Sequence, residues 1–158
     1  MNAYVAYSIH DYEQYLLNLL AQRLATNGVT LVTSANQIGP LDFPMTNAIR
    51  NCAFFIGLFT YAGLHTKPER AWQEVTAAYE SNRPMILLIE EGIQLAPWAE
   101  NHPGTIRFNR NNVEMAMNVV KARVDHAKTV QSNNTAAAWL LGGVGILALL
   151  ALLSDTKK

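Results

Sequence analysis

The chain has 158 residues, with 12 basic and 12 acidic side chains, a formal net charge of zero and one cysteine. This length suits one domain with a short extension. The balanced charge offers no basic face for nucleic acid, and the lone Cys52 excludes an internal disulfide, in keeping with a reducing compartment.

The first residues lack the basic and long apolar regions of a signal peptide, and residues 3–7 (AYVAY) read as a strand. Asp11 is the expected N-cap of a helix over 12–26, whose apolar stripe is Tyr12, Leu16, Leu19, Leu20 and Leu24, with Asn27-Gly28 closing it. Residues 29–32 predict a second strand, 33–44 a long loop with Gly39, Pro40 and Pro44, and 45–51 a short helix. Residues 53–60 (AFFIGLFT) are almost wholly apolar, as a central strand covered on both faces requires. Pro68 opens a third helix that runs to about Ser81. Residues 85–89 (MILLI) predict another buried strand, 90–103 an irregular stretch and 105–108 an edge strand. Asn109 or Asn111 caps a last helix through Val113, Met117, Val120 and Val124.

Residues 136–153 (AAAWLLGGVGILALLALL) carry no charge and no polar face. As a helix this run reaches roughly 27 Å, near the hydrocarbon thickness of a bilayer. Gly142, Gly143 and Gly145 suit a membrane span better than a soluble helix. The expected organisation is a domain over 1–127, a polar hinge over 128–135, a transmembrane helix over 136–153 and a short tail over 154–158. Basic residues flank the run on both sides. The absence of a signal peptide therefore sets the expected orientation, a single-pass protein with a cytoplasmic N-terminal domain.

Strands alternating with helices predict an α/β fold, a parallel sheet flanked by helices. Ligands in such sheets sit at the carboxyl ends of the strands, here the loops over 8–11, 33–44, 60–68 and 90–97. Glycine-rich phosphate-binding motifs are missing, so neither dinucleotide-cofactor binding nor phosphoryl transfer is expected. His10 and Asp11 have no second His or Cys at ligand spacing, and no metal is expected.

The opening VAYSIHD, the segment TSANQIGPLDFPMTNAIRNCAFFIGLFT and the segment ERAWQEVTAAYESNRPMILLI resemble, in order and spacing, the first strand and turn, the long loop with its helix and strand, and the third helix of a TIR domain. The resemblance spans about residues 3–124 and implies a flavodoxin-like sheet. Catalytic members of that family cleave the nicotinamide–ribose bond of NAD, so NAD is implied as a substrate and no cofactor is needed. Glu74 falls at the family's catalytic glutamate. A carboxylate there stabilises the oxocarbenium-like sugar as nicotinamide departs. The resemblance places Tyr7, Ser8, Asp11, Ile38, Phe43 and Trp72 around the substrate, with Ile38 and Phe43 also able to contact another TIR domain.

The leading expectation is thus a membrane-anchored NAD nucleosidase, yielding ADP-ribose or a cyclic isomer in antiviral defence or cell-death signalling, active through self-association at a lipid bilayer. In the catalytic pattern the tryptophan precedes the glutamate by a helical turn, whereas one residue separates Trp72 from Glu74. That spacing motivates an alternative, a non-catalytic scaffold that recruits other TIR proteins at the membrane. Glu69 is a substitute carboxylate in the same helix. A third reading is a nucleoside-processing enzyme of the deoxyribosyltransferase type, a related architecture that also sets a carboxylate near a ribose.

Overall fold

Runs that are apolar without alternation must be covered on both sides, and the chain meets this demand with one sheet between two helical layers. The computed structural model describes residues 1–33, 41–65 and 68–132. The strands are β1 (Asn2–Ser8), β2 (Thr30–Thr33), β3 (Phe54–Phe59), β4 (Met85–Glu90) and β5 (Thr105–Phe108). The helices are α1 (Gln14–Ala25), α2 (Phe43–Asn51), α3 (Pro68–Glu80), α4 (Pro97–Glu100) and α5 (Val113–Ser132). All neighbouring strands pair in parallel, in the order β2-β1-β3-β4-β5. The expected α/β class, a parallel sheet flanked by helices, is the observed one.

β3 and β4 are buried at every position, while the edge strand β2 is mostly exposed. One sheet face packs Val5, Ile56, Leu58 and Leu88 against Leu16, Leu20 and Leu24 of α1 and Met117, Val120 and Val124 of α5. The other packs Tyr4, Phe55, Phe59 and Leu87 against Ile49 of α2 and Ala71, Val75 and Ala78 of α3. Gly28 closes α1 at φ +66°, the left-handed conformation that favours glycine.

Four local details depart from the sequence expectation. Asp11 caps no α-helix: it opens a 3₁₀ turn (Asp11–Glu13), is exposed, and α1 begins only at Gln14. The cause is Glu13, whose carboxylate turns inward to Thr60 and Arg110 rather than to the free amides of α1. α2 begins at Phe43 rather than Met45, because Asp42 Oδ1 accepts the Met45 amide at 3.0 Å and Pro44 suits a first turn. The stretch expected to be irregular contains α4. α5 runs through Ser132, into the expected hinge.

Ile38 and the apolar run 136–153 lie outside the described residues. Among the described residues, no helix is long and apolar enough to cross a membrane.

Candidate active site

In this strand order the chain leaves β1 toward one edge of the sheet and later builds outward from its other side, which makes the carboxyl ends of β1 and β3 the switch point where sheets of this kind hold their ligands. Strand pleating sends Tyr4, Ala6 and Ser8 to the face covered by α2 and α3, and Tyr7 to the opposite face. Tyr7 accordingly packs against the α1/α5 core. Tyr7 and Ser8, both placed around the substrate by the resemblance, therefore point to opposite faces of the sheet. The Ser8 hydroxyl is buried and donates to the Gly63 carbonyl at 2.8 Å, binding the end of β1 to the 3₁₀ turn Gly63–His65. It neither caps α1 nor faces open space.

Glu74 is buried, at 1% exposure. It lies on the inner stripe of α3 with Ala71, Val75 and Ala78, where helical spacing turns these residues toward the sheet. Its Oε1 accepts from Arg70 Nε at 3.1 Å, and the Arg70 guanidinium also contacts the Met45 sulfur in the first turn of α2. In a parallel sheet both helices start at the carboxyl edge, so Arg70 occupies the first turn and Glu74 lies one turn, about 5 Å, further in. Glu69, the substitute carboxylate, is exposed in the first turn of α3.

Trp72 is half-buried at the margin of the core and stacks on Phe59 with ring centroids 4.2 Å apart. Phe43 is 79% exposed at the start of α2. Asp11 is exposed at the start of the first turn after β1. The structure thus brings Ser8 and Glu74 to the face shared with α2 and α3, where Phe43 stands exposed at the start of α2, and puts Tyr7 on the opposite face.

A second polar cluster, missed in the sequence, closes the carboxyl edge. Glu13 is fully buried and Glu90, the last residue of β4, is 8% exposed. Arg110 bridges them: its Nε donates to Glu90 Oε1 at 2.8 Å and its Nη2 donates to Glu13 Oε1. Glu13 Oε2 accepts the His10 amide at 2.8 Å and the Thr60 hydroxyl, and Glu90 Oε2 accepts the Tyr61 amide at 2.7 Å. Burial pushes the Glu13 carboxyl up. The bonds from Thr60, His10 and Arg110, with the Arg110 charge, outweigh burial and leave it below the usual glutamate range. The bond to Glu13 outweighs desolvation at Arg110 and, with Glu90, raises the guanidinium further. Glu90 ends β4 and Arg110 lies two residues past β5, so both reach the carboxyl edge, but their meeting with Glu13 depends on the assembled sheet.

Because the folded Glu13 carboxyl is depressed, its stabilisation is complete above the ordinary value of 4.5 and is lost as pH falls below that value. Glu13→Gln should therefore flatten the fall of unfolding free energy with acid, measured by urea titration from pH 6 downward. An unchanged acid slope would contradict this assignment.

No protein-family model and no curated protein matches the chain. The resemblance to TIR domains therefore rests on the segments quoted above. Among solved structures, the chain is similar to the Clostridium botulinum CMP N-glycosidase BcmB, with a TM-score of 0.52 and 17% identity, over 76% of this chain and 98% of that one. At this identity the likeness establishes a shared α/β architecture, which is that of the described sheet and its helices.

Proposed function

We propose that the protein is an N-glycosidase that cleaves the bond between a base and the ribose of a nucleotide, with Glu74 as the catalytic carboxylate and NAD as the substrate. The observation that carries this reading is Glu74 itself, a carboxylate kept at 1% exposure on the sheet-facing side of α3. Burying a charge is costly unless it is paired, and Arg70 supplies the pair. Such a group costs no reorganisation when positive charge develops next to it.

The reaction breaks the C1′–N bond, with the electron pair leaving on the base, and water adds at C1′ with loss of a proton. Cyclisation differs only in the nucleophile, a group of the same substrate. Nicotinamide leaves NAD as a neutral molecule and needs no proton. Cytosine leaves CMP as an anion and needs one. A carboxylate ion-paired with a guanidinium suits the first case, as a charge stabiliser rather than a proton donor. The shared architecture with a CMP N-glycosidase supports the reaction class, and the TIR-like segments support NAD.

The same reading takes the 136–153 run as a membrane span that concentrates the domain at a bilayer, facing the cytoplasm, and so favours self-association. The exposed Phe43 favours a second reading, a TIR scaffold that binds its partners through the start of α2. The full chain in detergent micelles, mixed separately with NAD and with CMP, decides between them. Release of nicotinamide but not cytosine is the expected result. Cytosine release would move the substrate to the monophosphate class. No base release, with self-association lost in Phe43→Asp, would establish the scaffold instead.

A further inference from the structure

The loops after β1 and β3 meet directly where the Ser8 hydroxyl bonds the Gly63 carbonyl, and they share a second anchor at Glu13. The loop after β1 begins at Ile9, and its His10 amide bonds to Glu13. The loop after β3 begins at Thr60, whose hydroxyl bonds to the same carboxylate and whose neighbour Tyr61 donates its amide to Glu90. Both carboxylates converge on one guanidinium, Arg110, which comes from the turn between β5 and α5. Glu13 and Glu90 are buried, and Arg110, at 44% side-chain exposure, is the cation they share. Without it, two carboxylates would face each other under the edge with their charges uncompensated, a costly arrangement.

We propose that Arg110 is a positioning residue that fixes the loops after β1 and β3 at the switch point by clamping them through Glu13 and Glu90. It touches no substrate. It acts from the far side of the sheet, so its effect is on where Ser8 and the Gly63–His65 turn stand relative to α3. The link to turnover rests on the N-glycosidase reading above, but the clamp itself does not. Tyr15 of α1 and Glu114 of α5 line the same surface hollow as Arg110, and Glu114 pairs with Arg23. Glu13, His10 and Asp11 come from the turn after β1. Glu90 comes from β4, and Arg107 of β5 reaches the Glu90 and Ile93 carbonyls and pairs with Glu100.

The test is amide hydrogen exchange on the full chain in detergent micelles, comparing the native protein with Arg110→Met and Arg110→Lys. Bonds to charged partners are the stronger class. Arg110→Met should thus speed exchange about tenfold or more in residues 9–13 and 60–65, leaving α3 and β4 unchanged. Arg110→Lys, which keeps the charge but loses the fork, should recover part of the protection. The protection factors of these two segments should also fail at a higher pH in Arg110→Met, since Glu13 then loses the charge that helps keep it ionised. If the native protein releases base from a nucleotide, kcat should fall in Arg110→Met and return in part with lysine. Unchanged exchange in both segments would overturn the clamp, and so would equal acceleration in α3 and β4, the mark of global destabilisation. If the native protein releases no base, the N-glycosidase reading fails, while the exchange result still decides the role of Arg110.

Discussion

Glu74→Gln is expected to reduce nicotinamide release from NAD by about 10²–10³-fold, the usual cost of removing one preorganised charge-stabilising group. Glutamine keeps the shape of the side chain and one oxygen for Arg70, so packing along Ala71, Val75 and Ala78 is undisturbed. What is lost is the negative charge. The Arg70 guanidinium, at 17% side-chain exposure, then faces a neutral partner, which should lower stability by about 1–3 kcal/mol. Glu74→Ala is the poorer variant. It strands the guanidinium beside a cavity at an expected cost of roughly 3–5 kcal/mol, and lost activity would then be confounded with unfolding. The measurement is a progress curve of nicotinamide release at saturating NAD, paired with a thermal melt. Full activity in a folded Glu74→Gln protein would remove Glu74 from the mechanism.

Gly63→Ala should be the most damaging single methyl group on the carboxyl edge. A Cβ at Gly63 would stand 1.9 Å from the Ser8 carbonyl oxygen, 2.3 Å from its carbon and 2.6 Å from the Ile9 nitrogen. All three are backbone atoms of a strand end, and none can swing aside as a side chain does. The same turn is tied at two further points, by the Ser8 hydroxyl on the Gly63 carbonyl and by the Gly63 amide on Thr60 Oγ1 at 3.0 Å. The methyl group must therefore part β1 from the turn. The expected loss is about 3 kcal/mol, or a melting midpoint lower by roughly 10 °C. Ser8→Ala removes one hydrogen bond from the same junction without a clash and should cost only about 1 kcal/mol. Equal midpoints for Gly63→Ala and the native protein would mean that the two segments are not in contact.

The sheet was legible because its central strands are written in an unbroken apolar script. AFFIGLFT and MILLI have no polar face, and only burial between two helical layers accommodates that. The helical spacing of Leu16, Leu20 and Leu24 likewise pointed to the face that α1 buries. Asp11 misled because its side chain is a common cap, whereas the neighbouring Glu13 answers to Thr60 and Arg110, residues distant in the chain. The site was legible in part. Glu74 shares a helical face with Ala71 and Ala78, which places it inward. The partition of Tyr7 from Ser8 follows from strand pleating once β1 is known to have two covered faces. Trp72 was harder, since its partner Phe59 comes from β3 rather than from its own helix. The bridge from Arg110 to Glu13 and Glu90 joins three regions that no local pattern connects, so only the assembled sheet discloses it.

The strand order also bears on how the nascent protein assembles. Once β1 and β2 have paired, β3 joins the open side of β1, and each later strand joins the one just laid down: β4 beside β3, β5 beside β4. Growth after the first crossover runs in one direction and follows the order in which the ribosome delivers the segments. Until β4 arrives, β3 is an open border with apolar side chains above and below, the stage at which a stalled or truncated chain is most prone to stick to another. A ribosome pause placed after β3 should therefore yield more insoluble product than one placed after β5.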